Sequence, residues 1–322
     1  MNSCRKSKAM AKRRNSRRAA SEKPGPAGFL IVDKPPGQTS HDVVDAARKW
    51  LGTRRVGHMG TLDPQATGVL PLAIRDATKL ISFVTKDTKS YVGGVRFGVE
   101  TDTLDAQGKE TARFDGALPT RDQVEAVLEN FRGEIQQVPP MYSAVKKNGV
   151  PLHRLARRGE EIERTPKTVT VSRLDLTAFE EGLAEIRVDC SAGTYVRVLA
   201  ADIGEILGCG AHLESLRRLT SGPFDVTQAT SFETLTAEAK DQVVEKRVIS
   251  PADAMGLPVL ELADEGARRV RHGGDISPGA RLRVAPGERV VAVDLSGELV
   301  GLLEFRPDRR LWPLKVFGAE IG

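Results

Sequence analysis

Between Val56 and Leu70 the chain reads Val-Gly-His-Met-Gly-Thr-Leu-Asp-Pro-Gln-Ala-Thr-Gly-Val-Leu, which crowds three glycines, a proline and one aspartate into a short stretch. Glycine lets backbone approach a ligand, and Pro64 drives the residue before it toward an extended conformation, so Asp63 would present its carboxylate from a fixed turn. A carboxylate held in this way can add to an electrophilic carbon or take a proton. The same dipeptide also has a purely structural use, in which the Asp bonds its own backbone. Other chemistries find little support. The three cysteines, Cys4, Cys190 and Cys209, have no metal-ligand spacing, and there is no Rossmann or Walker loop.

The elements that would position this loop follow from periodicity. Gly28 to Val32 is a short apolar strand that runs into Asp33-Lys34-Pro35-Pro36-Gly37. Thr39 or Ser40 caps a helix with Val43, Ala46, Ala47, Trp50 and Leu51 on one face, stopped at Gly52. A second helix is predicted over 76–85, a strand over 89–99, and a helix over 120–132 with Val124, Val127, Leu128 and Phe131 inward. Strands at 167–179 and 183–191, a helix at 195–207 and a strand near 212–219 complete the body. Too few helices serve as parallel crossovers for a doubly wound sheet. The predicted class is therefore α+β, a largely antiparallel mixed sheet flanked by helices.

After Ser250-Pro251 short strands alternate with turns, at 280–284, 289–294, 298–305 and 311–317, which predicts a small β-barrel over 251–322. Ala267 to His272 precedes them with Arg268, Arg269 and Arg271, a basic edge. Residues 134–167 read as an insertion, because Pro139-Pro140 and Asn148-Gly149 break any periodicity. From Ser143 to Lys167 seven Lys or Arg face three Glu, so this segment is either a solvated loop or an arm that grips phosphates.

The 322 residues carry a net charge of +5, but residues 1–27 alone hold nine basic side chains against Glu22, a net of +8, which leaves −3 for the rest. The basic tail is predicted to be disordered, as a loose polyanion-binding or solvating extension or an organellar presequence. At 40% hydrophobic and 28% charged the chain is globular, large enough for one sizeable domain, 28–250, plus a small one. No apolar run is long enough for a membrane span, and scattered cysteines fit a cytoplasmic setting.

The Asp63 stretch resembles the catalytic loop of the TruB family of tRNA pseudouridine synthases. Gly28-Phe29-Leu30-Ile31-Val32-Asp33-Lys34-Pro35 resembles that family's opening motif, Lys89-Ser90-Tyr91 its Lys-x-Tyr motif, and Gly193-Thr194-Tyr195-Val196-Arg197 its Tyr-Ile-Arg motif. Gly210-Ala211-His212-Leu213-Glu214-Ser215-Leu216-Arg217-Arg218 resembles a further family segment, so the similarity runs in order from Gly28 onward. Met59, where Thr is common, and Val198, where small polar residues are frequent, are departures that replace no reactive group. The tail lies outside the resemblance.

The resemblance implies a pseudouridine synthase fold with a C-terminal PUA-like RNA-binding module, and isomerisation of the T-loop uridine, position 55, of tRNA after base flipping. No cofactor or metal is implied, no membrane, and no obligate protein partner beyond the tRNA T-loop and T-stem. Asp63 would be the catalytic carboxylate, Arg197 would pair with it and favour its charged form, and Tyr91 would stack on the uracil or receive a proton. His58 would contact displaced bases, Lys34 would bond the catalytic loop or a phosphate, and Leu213 or Leu216 would be core or line the base pocket. Arg154, Arg157 and Arg158 would hold RNA from the arm. A guide-RNA-dependent relative and a non-catalytic tRNA-binding module are the alternative functions.

Overall fold

The computed structural model describes residues 23–84, 88–143, 145–147, 149–156, 158–160, 162–279 and 282–318. In β1 (Gly28–Lys34) the residues Phe29 to Val32 are all buried, the mark of a strand covered on both faces. Leu30 and Val32 enter one apolar cluster, and Phe29 and Ile31, one residue out of phase, enter another. Next comes α1 (Ser40–Trp50), capped as expected at Thr39: its hydroxyl accepts from the Asp42 amide, and the Asp42 carboxylate accepts from the Thr39 amide. Then follow β2 (Val56–His58) and β3 (Thr67–Ile74), joined by the glycine-rich loop. The helix expected over 76–85 is a 3-10 turn, Arg75–Leu80, continued by α2 (Ile81–Val84). The middle of the chain gives β4 (Thr88–Phe97), β5 (Val99–Thr101), β6 (Glu110–Arg113), α3 (Arg121–Leu128) and β7 (Gly133–Gln137).

The arm contains β8 (Lys146–Lys147), β9 (Val150–Pro151) and α4 (Leu152–Ala156). After it run β10 (Lys167–Glu180), β11 (Leu183–Ser191), α5 (Val196–Ile206), β12 (Ala211–Ser221), β13 (Phe224–Asp225), β14 (Thr230–Ser231) and α6 (Phe232–Glu238). The chain closes with α7 (Pro251–Met255), β15 (Val259–Leu262), α8 (Asp264–Arg271), β16 (Arg289–Asp294), β17 (Leu299–Phe305) and β18 (Leu311–Val316).

The large sheet has the order β14-β1-β3-β12-β4-β11-β10-β7, with β2 beside β3 and β13 beside β12. All its pairings are antiparallel except β1 with β14 and β3 with β12. Two strands share one edge of β3: β12 pairs at Thr67 and Gly68, and β2 pairs at Leu72 to Ile74. The loop between β2 and β3 fills the gap between them. That short parallel contact requires a glycine, since a Cβ on Gly68 would sit 2.2 Å from the Arg218 carbonyl oxygen. Helices α1, α3 and α5 contribute Val43, Ala47, Val124, Leu128, Leu199 and Ile203 to the cluster that holds Leu30, Leu70 and Leu72.

Three boundaries differ from the sequence reading. Residues 134–137 belong to β7, which pairs with β10 from Gly133 opposite Val171 to Gln137 opposite Lys167, so the excursion spans 138–166 at the tip of a hairpin. Gly133-Glu-Ile-Gln-Gln carries too few apolar residues to be read as a strand, yet as an edge it needs few. Residues 23–26 run along the body and are not tail: the buried Arg75 guanidinium donates to the carbonyls of Lys23 and Pro26. The remainder of the tail, residues 1–22, lies outside the described residues.

In the C-terminal part, the described residues form an open four-stranded sheet, β15-β16-β17-β18, and not a closed barrel. It has no need to close. One face is covered by Ala267 and Val270 of α8, and the other sends Val291 and Leu302 into the cluster with Phe29, Ile31 and Val69. Each such side chain taken from water contributes about 1.5–3 kcal/mol. Of the strand expected over 280–284, Ala280 and Arg281 lie outside the described residues and Leu282 to Val284 form none, whereas β15 was not anticipated. The chain leaves the large sheet at Ile249, whose amide and carbonyl exchange hydrogen bonds of 2.8 Å with Phe29.

Candidate active site

Asp63 projects from the β2–β3 loop into a cavity of about 750 Å³. His58, Tyr91, Arg197, Leu213 and Leu216 line it as well, so six of the sequence-predicted residues converge, although they come from the loop and from β2, β4, α5 and β12. Lys89, Thr103, Asp105, Gln107, Tyr142 and Tyr195 complete much of the wall. The cavity is large enough for a nucleoside with neighbouring groups.

The loop is tied down by polar side chains beneath it. Ser40, the first residue of α1, gives its hydroxyl to the Leu62 carbonyl at 3.0 Å and receives the Leu62 amide at 2.8 Å. Lys34 is 0% exposed. Its Nζ donates to the carbonyls of Pro35, Gln38 and Pro64 at 2.9, 2.6 and 2.9 Å, three acceptors for the three protons of an ammonium. Of the roles open to it in the sequence, the bond to the Asp63 loop is the one present, and a lysine so enclosed offers nothing to a phosphate. Burial brings its pKa down to about 8, with Asp63 opposing the fall and Arg218 adding to it.

Arg218, also 0% exposed, lies under the other end of the loop. Nε donates to Val69 O at 2.7 Å, Nη2 to Gly60 O at 3.1 Å and Nη1 to Thr61 O at 3.4 Å. The guanidinium thus supplies, where β2 and β12 part, the donors that a continuous strand would have given β3 and the loop. It also donates to the Tyr91 hydroxyl, whose pKa burial raises and Arg218 lowers. Met59 packs beneath the loop in the second apolar cluster, 3% exposed, so a thioether fills that site without disturbing the polar ties.

Arg197 sits in the first turn of α5, its side chain 6% exposed, and Asp63 keeps 39% of its side-chain surface toward the cavity. Arg197 Nη1 lies 3.0 Å from Asp63 Oδ2 and 3.3 Å from Asp105 Oδ2, and Nη2 donates to the Tyr142 carbonyl at 2.6 Å. One guanidinium therefore holds two carboxylates. The expected pairing is present, but its effect on Asp63 is outweighed: desolvation by the cavity walls pushes the carboxyl pKa up, Arg197 opposes this, and Asp105 adds to the rise. The outcome is a carboxylate of raised proton affinity, open to the cavity on one side and held by a fixed cation on the other. Burial first, and Arg218 and His41 next, lower the His58 pKa and so favour its neutral form at the cavity wall.

The arm residues are elsewhere. Arg154 is exposed on α4, Arg158 is exposed and lies 3.9 Å from Glu160, and neither lines the cavity; Arg157 lies outside the described residues. Sequence reasoning missed Asp105, Tyr142 and Gln137 altogether, and quoted Arg218 without giving it a role. The only local sign at Asp105 is the Thr103-x-Asp105 turn, in which Thr103 Oγ1 donates to the carboxylate at 2.6 Å.

Comparison with known proteins accords with this geometry. Residues 48–196 match the model for the TruB family pseudouridylate synthase N-terminal domain, and residues 197–255 that for the tRNA pseudouridylate synthase B C-terminal domain. The chain is 42% identical over 305 residues to tRNA pseudouridine synthase B of Stutzerimonas stutzeri (strain A1501), covering 91% of this chain and 96% of that protein. It is also 42% identical over 287 residues to the protein of the same name from Geobacter sulfurreducens, covering 85% and 94%. Among solved structures, a Cbf5-Nop10-Gar1 complex matches with a TM-score of 0.62 at 31% identity, covering 87% of this chain and 78% of that one. An H/ACA RNP bound to a substrate RNA containing 2'-deoxyuridine matches at 0.63 and 28%, covering 90% and 84%. The mixed sheet with its central cavity is thus the pseudouridine synthase fold. The chain belongs to the TruB family of pseudouridylate synthases. The join between the two family models, at Arg197, falls in the first turn of α5 and is no boundary in the fold.

Proposed function

We propose that this chain is a stand-alone tRNA pseudouridine synthase that isomerises the T-loop uridine, position 55, to pseudouridine, and that Asp63 carries the chemistry. The observation that supports this best is the Asp63 carboxylate at the wall of a nucleoside-sized cavity, 3.0 Å from a buried arginine. In the reaction the N1–C1′ bond breaks, the base turns, a C5–C1′ bond forms, and the C5 proton is lost while N1 gains one. Nothing is oxidised and no atom is added. Asp63 acts on the nucleoside directly, by adding to it or by taking a ribose proton, and its raised proton affinity suits either role. Arg197 holds it in place and ionised enough to work. Tyr91, with its oxygen fixed by Arg218, is placed to stack on the base, and Leu213 and Leu216 line the same cavity from the neighbouring strand β12.

The uridine must leave its stack to enter. Unstacking costs a few kcal/mol, which phosphate contacts from Arg154, Arg157 and Arg158 of the arm, and from the C-terminal module, offset. We read 28–250 as the catalytic unit and 251–322 as a PUA-like RNA-binding module, and the setting as cytoplasmic. Two buried thiols, Cys190 and Cys209, are consistent with that setting, and no described helix is long and apolar enough to cross a membrane.

The test is incubation of the purified protein with an unmodified tRNA transcript and no other RNA, followed by mapping of the modified position. Product at position 55 is expected. Product only after a guide RNA is added would replace this reading with the guide-dependent one. Asp63→Asn should lower the single-turnover rate by at least about 10³-fold while tRNA binding stays within about threefold of wild type. Equal activity of the two proteins would refute the assignment, and binding with no product from wild type would indicate a folding module.

A further inference from the structure

Arg197 owes its place to α5, and the start of α5 lacks the usual support. Its N-cap residue, Tyr195, makes no capping hydrogen bond with its own side chain. A side chain from another strand stands in. Gln137, the last residue of β7, is 2% exposed, and both polar atoms of its amide are spent on the backbone of Tyr195: Oε1 accepts from the Tyr195 amide at 3.0 Å and Nε2 donates to the Tyr195 carbonyl at 3.3 Å. The same carbonyl closes the first helical turn by accepting from the amides of Val198 and Leu199 at 3.1 Å each. Two residues on, Arg197 reaches Asp63, Asp105 and the Tyr142 carbonyl.

The segment Gln137-Val-Pro-Pro-Met-Tyr142 is therefore fastened to α5 at both ends, through the Gln137 amide at one and the Tyr142 carbonyl at the other, with the buried Pro139 and Pro140 between them. A buried primary amide has no apolar reason to be there, and an apolar side chain of equal length would fill the same space. What it adds is direction. Two hydrogen bonds fix the position and rotation of the first turn, and with it the origin of the Arg197 side chain.

We infer that Gln137 is a positioning residue that sets the Arg197 guanidinium between Asp63 and Asp105. The inference rests on the reading of Asp63 and Arg197 given above. Displacement of a positioned group by about 1 Å can cost on the order of 10²-fold in rate. The Gln137→Met variant should accordingly slow single-turnover isomerisation at saturating tRNA by about 10- to 100-fold, with the tRNA dissociation constant within about twofold of wild type and a thermal midpoint lower by a few degrees, since the Tyr195 amide loses its acceptor. Gln137→Glu keeps the volume and the acceptor but sets a carboxylate against the Tyr195 carbonyl, and should show the same split if the methionine variant folds poorly.

The decisive readout is non-additivity. In an Arg197→Lys background Gln137→Met should have less than about a twofold further effect on the rate, because the group it positions is already gone. Additive losses, or a wild-type rate at saturation in the folded variants, would overturn the inference. Wild-type protein and Asp63→Asn serve as controls on the same tRNA: failure of those controls would count against the reading of the site, and a normal result there with unaffected Gln137 variants would count against Gln137 alone.

Discussion

The loop from Met59 to Ala66 and the arm over 138–166 both meet Arg197, through the Asp63 carboxylate and the Tyr142 carbonyl, and they are built in contrary ways. The loop has almost no regular structure of its own, yet Lys34, Ser40 and Arg218, all buried, bond to its backbone. The arm has a two-residue strand pair and a five-residue helix, and apart from its root its described charges face solvent. The root is held by Arg164, which donates to the Pro139 carbonyl at 3.2 Å, and by Arg197 on Tyr142. Under the proposed function, the difference teaches how two tasks would divide within one site. Chemistry at Asp63 would need a carboxylate that does not wander, which buried cations bonded to backbone carbonyls provide; grip on a polyanion would need only charge within reach, which a surface provides.

The comparison breaks most sharply at Arg218. Arg218→Met would leave the carbonyls of Gly60, Thr61 and Val69 without donors and release the Tyr91 hydroxyl, at a cost of about 3 kcal/mol or more in stability. Denaturant unfolding should show it, and the isomerisation rate of the remaining folded protein should fall by at least about tenfold.

Lys34→Met comes next, with a loss of about 2 kcal/mol near neutral pH, since the Pro35 and Gln38 carbonyls lose this donor and the Pro64 carbonyl keeps only the Gly37 amide, at 2.9 Å. It also carries a signature in pH. The lysine titrates near 8 in the fold and near 10.5 when unfolded, so between those values the unfolded chain holds the extra proton, and the stability of the wild type rises with pH across that interval. The variant should lack this rise. Parallel stability curves for the two proteins between pH 8 and 10.5 would show that Lys34 is not the buried cation described.

The smallest effect is expected in the arm. Neutralising Arg154, Arg157 and Arg158 together should weaken tRNA binding and reduce the salt slope by roughly 0.7–0.9 for each phosphate no longer neutralised, while stability stays within about 0.5 kcal/mol of wild type. An unchanged slope would remove the arm from the RNA interface. A large drop in stability would mean that the arm, like the loop, is a tied element.

Much of this molecule was legible before any coordinates. The capped helix at Thr39, the apolar strand at Phe29 to Val32 and the paired strands after Lys167 are local patterns, and local patterns survive folding when they agree with it. The motif residues Asp63, Tyr91 and Arg197 were likewise marked by resemblance. Asp105 was not, because a carboxylate in a polar turn looks like any other until the chain brings it 3.3 Å from Arg197. Gln137 was hidden for a similar reason: it ends an edge strand with little apolar character, and its partners lie 58 residues away.

The sequence by itself determined most of the strands and helices of the body and which side chains have reactive types, since periodicity of 2 or 3.6 and residue chemistry are properties of neighbours along the chain. Only the tertiary structure decided what those side chains experience. Whether Asp63 is more governed by Arg197 or by partial burial, whether Lys34 meets a phosphate or three carbonyls, and whether the last strands close into a barrel or lie on a shared core are questions of distance and solvent exclusion. Both arise from residues far apart in the chain, because burial and Coulomb interaction depend on position in space and carry no imprint in local order.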